Sequence, residues 1–211
     1  MSRESIAAVL RKYLPPSTVE ICTSWIVQKN IHLKITKSRS SRFGDYRPLE
    51  KGKGHQITVN HNLNQYSFLV TFLHEVAHLH VQNKFPRYTE PHGKEWKNEF
   101  RNILYDFLVQ KIFPQDIEDA LVNYFQDPAA STCSDPHLYR ALKKYDSGKN
   151  AECKHLEELP EGTHFRILSS KTAMIFKKGL RRRTRFHCVE VQTRREYYVS
   201  GIAEVIPIAD G

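Results

Sequence analysis

Apolar and polar positions divide the chain into a longer part with a period near 3.6 and a shorter part with a period of 2. The change falls around Asp146–Asn150. In the first part Ile6, Val9, Leu10, Tyr13 and Leu14 predict an amphipathic helix over Met1–Leu14. Pro15-Pro16 breaks it. Ser17-Thr18-Val19-Glu20 then has the Ser-x-x-Glu form of a capping box, predicting a second helix to about Gln28 with Ile21, Trp25 and Ile26 inward. Ile31–Thr36, Phe43–Tyr46 and Gln56–Asn60 follow as short extended stretches and predict a small three-stranded sheet. From Asn64 to Asn83 a long helix carries Leu69, Leu73, Ala77 and Val81 on one face. Another, over Lys94–Lys111, presents Trp96, Phe100, Leu104 and Phe107 or Leu108. Shorter helices are expected at Pro114–Phe125 and Asp135–Tyr145, each with proline in the first turn, where its missing N–H costs nothing.

Beyond the change of period, His164–Leu168, Ala173–Phe176, Thr184–Val191, Glu196–Val199 and Ile202–Ile206 read as short strands. Turns are expected at Lys178-Gly179 and Thr193-Arg194. The prediction is an α+β protein: a helical unit with a small sheet over residues 1–146, and a small all-β appendage over 151–211. A chain of 211 residues suits one main domain and a minor one.

Composition narrows the setting. The N-terminal helix alternates charge with apolar residues, unlike the unbroken core of a signal peptide, and no run of about 18 apolar residues is present to span a membrane. Cys22, Cys133, Cys153 and Cys188 are too few and too scattered for a secreted disulfide framework. The expectation is a cytoplasmic protein with small buried thiols and no membrane partner. The net charge of +9 is concentrated, because residues 166–199 hold ten Lys or Arg against two Glu. A patch of this kind is the footprint of a polyanion binder. It names Lys177, Lys178, Arg181, Arg182, Arg183 and Arg185 as nucleic-acid contacts, with Phe176, Phe186, Tyr197 and Tyr198 at hand for stacking.

The long helix carries His74-Glu75-Val76-Ala77-His78. Residues four apart differ by about 40° around a helix axis, so both imidazoles can reach one metal ion. Glu75 lies at the edge of that face, where a carboxylate can take a proton from water. Shuffling this composition yields the pattern in roughly 4 chains of 100, so context decides. The segment lies in an amphipathic helix, follows a strand and is succeeded by a further histidine at a helix start. Two imidazoles and a carboxylate amid apolar residues also call for a partner such as a metal. His80 points to nearly the opposite side. A catalytic zinc takes three protein ligands and leaves one position open. For the third, His92 leads, and Glu90, Glu95 and Glu99 compete.

The combination of His74-Glu75-Val76-Ala77-His78 with His92-Gly93-Lys94-Glu95-Trp96 after a gap of thirteen residues resembles the SprT-like (Spartan-type) family of zinc metalloproteases over about residues 4–110. The resemblance implies a zincin-like half-domain, Zn²⁺ on His74, His78 and His92, and Glu75 as general base. Gly93 and Trp96 would shape the turn that presents His92. It also implies a polypeptide substrate associated with or crosslinked to DNA, hence a nucleoid-associated protein if DNA is bound. One departure is plain: many relatives end in a zinc ribbon, and the β appendage has no Cys-x-x-Cys pair.

Overall fold

The computed structural model describes residues 2–39, 42–49, 54–85, 89–126, 135–146, 153–168 and 174–208. The chain divides into two compact units, Met1–Ser147 and Gly148–Gly211. Six α-helices and a three-stranded sheet are described in the first, and a separate six-stranded sheet in the second.

In the first unit α1 (Arg3–Leu10) begins where the Ser2 hydroxyl accepts from the Ser5 N–H. It is shorter than expected, though Leu14 still reaches the core. The capping box does not form. Ser17 lies in a 3-10 turn, Pro16–Thr18, and α2 (Val19–Gln28) starts after it with no side-chain cap. Glu20 instead pairs with Arg3 across the two helices. Three strands follow, β1 (Ile31–Thr36), β2 (Gly44–Pro48) and β3 (His55–Asn60). Their order is β1-β3-β2, with β3 parallel to β1 and antiparallel to β2. The strand before the metal helix, Gln56–Asn60, reads from sequence as an open edge for a substrate, and this is overturned. β3 pairs with β1 along one edge and with β2 along the other, so neither edge is free, and Ile57, Thr58, Val59 and Asn60 are all buried.

The centre of the unit is α3 (Gln65–Lys84). Asn64 caps it, its Oδ1 accepting from the N–H groups of Tyr66 and Ser67 at 3.0 Å. The Asn64 amide also donates to the Leu142 carbonyl and to Asp146, tying the helix start to the end of the unit. Nearly every residue from Ser67 to Ala77 is buried, polar ones included, because the sheet lies along one side and α4 (Lys94–Val109) along another. Trp96, Phe100, Leu104 and Phe107 form the buried stripe of α4, as its periodicity predicts. Helices α5 (Gln115–Gln126) and α6 (Pro136–Lys143) complete the unit, the latter capped by Asp135 accepting from the Leu138 N–H at 2.7 Å.

The second unit has strands β4 (Lys154–His155), β5 (His164–Ile167), β6 (Phe176–Arg182), β7 (Arg185–Glu190), β8 (Glu196–Ser200) and β9 (Glu204–Ile208). They are ordered β4-β9-β5-β6-β7-β8 around a core of Leu156, Leu159, Phe165, Phe176, Phe186, Cys188 and Val205. The expected turn at Lys178-Gly179 is instead the middle of β6, where the register against β7 shifts between Lys178 and Arg181. Gly179 serves close approach there, since a Cβ on it would stand 2.8 Å from the His187 carbonyl oxygen. The chain reverses at Arg183-Thr184, with Arg183 at φ 57°. Of the expected strand Ala173–Phe176, Ala173 lies outside the described residues and only Phe176 is strand. No helix among the described residues is long and apolar enough to cross a membrane.

Candidate metal centre

His74 and His78 project from one face of α3, and His92 comes to them from the turn that opens α4. Nε2 of His92 lies 3.1 Å from Nε2 of His74 and 3.0 Å from Nε2 of His78. The three offer one nitrogen each, all within 4.8 Å of one another, and could hold a metal ion. No fourth His, Cys, Asp or Glu among the described residues joins them.

Backbone geometry accounts for the third imidazole. His92 has φ 61°, a left-handed conformation in which histidine is among the better tolerated residues. Gly93 follows as the N-cap of α4, its N–H donating to the Glu90 carbonyl at 2.9 Å. A Cβ on Gly93 would stand 3.0 Å from that same oxygen, so the turn is tight enough to favour glycine. Trp96, one turn into α4 and 1% exposed, packs its ring against all three imidazoles, 4.5 Å from His74, 5.4 Å from His78 and 4.7 Å from His92. Its indole N–H points to the His74 carbonyl at 3.4 Å, and its other flank stacks on Phe100. The rings are thus fixed by the hydrophobic core.

Electrostatics favour the ligand-competent state. Burial, then the charges of His78 and His92, holds His74 well below the usual histidine range. Burial and His92 bring His78 down to about 4, against a smaller opposing effect of Asp45, and burial lowers His92. Near neutral pH all three are neutral imidazoles, the form that donates to a metal without first losing a proton. Their donor set, three nitrogens and no thiolate, fits a borderline divalent ion such as zinc. Nδ1 of His74 is buried without a hydrogen-bond partner.

Glu75 is 6% exposed and lies under β2. A Cβ on Gly44 would meet its Oε1 at 2.6 Å and Thr71 Cγ2 at 2.7 Å, so glycine lets the strand press onto the carboxyl. Burial chiefly, then Asp45, pushes the Glu75 carboxyl up to about 8, and Arg39 and Arg42 partly offset this. Asp45 is itself held by Arg42 at 2.6 Å and Arg47 at 2.8 Å. A cation at the imidazoles would favour the carboxylate. Gly44, Asp45, Arg39 and Arg42 were not singled out by sequence reasoning. They lie some thirty residues before the histidines, and no spacing rule links a strand residue to the helix it packs on.

The competitors for the third position are placed elsewhere. Glu99 is buried between Lys84, at 2.7 Å, and Nδ1 of His80, at 3.4 Å. Glu90 and Glu95 are not in the histidine cluster. In the second unit Lys177, Arg181, Arg182, Arg183 and Arg185 are exposed around the β6–β7 turn. Lys178 departs from the expectation: 5% exposed, it donates to the carbonyls of Leu159 and Glu157 and stands 4.1 Å over the Phe186 ring. Its neighbours alternate outward while the pleat turns it into the core. Phe176 and Phe186 are buried as well, and of the aromatic residues named for stacking Tyr198 is the exposed one, at 56%.

A helix-borne histidine pair, a third histidine from the turn before the next helix and a buried glutamate beside the pair define a candidate metal site in an α+β protein. Residues 19–114 match the model of the SprT-like family, a stretch that contains the whole cluster. That match supports the resemblance to the SprT-like family read from the sequence. No curated protein and no solved structure matches the chain.

Proposed function

We propose that the protein is a zinc-dependent metallopeptidase, its first unit a zincin-like half-domain and its substrate a polypeptide. The observation that carries this reading is the convergence of three neutral imidazoles beside a buried glutamate, with no fourth ligand among the described residues. A purely structural zinc site is normally closed by four protein ligands, which argues against an idle scaffold. Zinc, when bound, supplies Lewis-acid chemistry, making water nucleophilic near neutral pH and polarising a carbonyl oxygen. His74, His78 and His92 would hold it. Glu75 takes the proton of the attacking water on a carboxylate oxygen and returns it to the departing amine nitrogen. Burial of that carboxyl keeps its proton affinity high enough for both transfers. The open edge of β2, which carries Gly44 over Glu75 and Tyr46 along His78, is where an extended substrate pairs by strand addition.

We further read the exposed arginines of the β6–β7 turn, with Tyr198 on the adjoining strand, as a DNA contact that brings the peptidase to DNA-associated proteins. The test is cleavage of a DNA-binding protein by wild type and Glu75→Gln, with and without single-stranded DNA, zinc content measured on the same samples. Cleavage by zinc-loaded wild type alone, accelerated by DNA, supports both parts. Zinc and DNA bound by both proteins without cleavage by either would leave a scaffold as the better reading.

A further inference from the structure

A cleft of about 510 Å³ opens at the C-terminal end of α3, and Gln28, Lys29, Asn30, His55, Gln82 and Asn83 line it. It continues the metal centre in two ways. Gln82 is four residues beyond His78, so α3 carries His74, His78 and Gln82 along one face, with Gln82 about 6 Å further along the axis. Tyr46 forms the other link: its ring lies nearly parallel to that of His78, with centroids 6.2 Å apart, and its hydroxyl hydrogen-bonds Nδ1 of His55 at 3.0 Å. Through the 5.9 Å between the Tyr46 and His55 rings, His55 lies no more than about 12 Å from His78, a reach of at most three to four extended residues.

The lining selects a ligand chemistry. Four carboxamides offer both donors and acceptors, as a peptide backbone demands. Lys29 is the one full charge among the described lining residues, none of which is acidic. Its field is felt nearby, since burial first and then Lys29 lowers both His55 and His80. Lys29 is half-buried at the cleft. A nucleic-acid strand would call for a row of cations following successive phosphates and an aromatic platform. One cation among carboxamides, as the described lining residues present, fits a polypeptide with a single carboxylate.

We infer that this cleft is a substrate subsite that receives an acidic side chain within about four residues of the scissile bond, with Lys29 pairing the carboxylate and the carboxamides holding the backbone. The inference rests on the peptidase reading and names a preference within it. The experiment uses full-length zinc-loaded Glu75→Gln and labelled peptides in which one Glu, moved along an otherwise neutral sequence, is exchanged for Gln. Fluorescence anisotropy is expected to show about tenfold tighter binding of the Glu peptide. Adding Lys29→Met should abolish that ratio, and Lys29→Glu should invert it in favour of a Lys peptide. Melting temperature and zinc content of each variant are compared with the parent, so that unfolding is not taken for lost recognition. Wild type should then cut within about four residues of the Glu. Equal binding of Glu and Gln peptides overturns the subsite, as does an oligonucleotide that binds through Lys29 and displaces the peptide. Lys29-dependent binding without cleavage by wild type would retain the subsite and remove the peptidase reading. Cleavage indifferent to the acidic residue would do the reverse.

Discussion

Gly44 of the edge strand and Glu75 of the metal helix touch so closely that a Cβ on the glycine would stand 2.6 Å from the carboxyl oxygen. The position of the Glu75 carboxyl is therefore set by a strand residue thirty-one positions earlier in the chain. Gly44→Ala is expected to displace either the strand or the carboxyl. A shift of about 1 Å at a catalytic group can cost on the order of 10²-fold in rate, while the imidazoles are untouched. Turnover should fall with zinc content unchanged. Equal loss of zinc and activity would mean that the whole site had moved.

Glu75→Gln keeps the volume of the side chain and removes its proton-accepting oxygen. Loss of a general base typically lowers the rate by about 10²–10⁴-fold. Because Glu75 is buried and destabilised by its own charge, the amide should also leave the metal-free protein at least as stable as wild type at pH 8. A thermal melt of both apo proteins checks this, and a marked drop in the variant counts against the burial argument.

Three imidazoles held by Trp96 and the core bind a metal in the folded chain and not in the unfolded one, so zinc should raise the melting temperature by mass action. Chelation should reverse the gain. His92→Ala should abolish most of it, whereas His80→Ala, whose ring faces Glu99, should retain it. Trp96→Phe should weaken zinc binding less than Trp96→Ala, which removes a large buried side chain at about 3–5 kcal/mol.

Cys22 is fully buried, and burial pushes its thiol up from 9.0 to about 12. It should resist alkylation in the folded protein at pH 8 and react once the chain unfolds, as peptide mapping will show. The linkage has a definite sign. Above about pH 9 the unfolded thiol ionises first, so the contribution of Cys22 to stability is lost as pH rises from about 9 toward about 12. Wild type should lose melting temperature faster over that window than Cys22→Ala.

Arg182 and Arg185 face each other in the β6–β7 register and both are exposed. Their joint reversal to Glu should weaken DNA binding and flatten its dependence on salt by about two phosphate contacts. Lys178→Met should leave the salt slope alone, because that ammonium is buried under Phe186. A change in slope at Lys178 alone would locate the DNA contact elsewhere.

Sequence by itself determined the elements with long, regular periodicity and the chemistry carried within one helix. His74 and His78 share a face because the helix repeats every 3.6 residues, and the stripe of α4 follows from Trp96, Phe100, Leu104 and Phe107. The family's spacing also pointed to His92. Tertiary structure decided what local rules do not encode. Glu20 left its capping box for Arg3, since an ion pair between helices and a 3-10 entry replaced the local cap. β3 became central because β1 and β2 pair with its two edges. Lys178 turned inward because the strand runs through Gly179 by a shift of register, so the turn moved to Arg183. Gly44, Asp45 and the arginines around Glu75, like the Lys29 cleft, arise where distant segments pack together. Such neighbours are fixed by the packing of the core, and no periodicity along the chain records them.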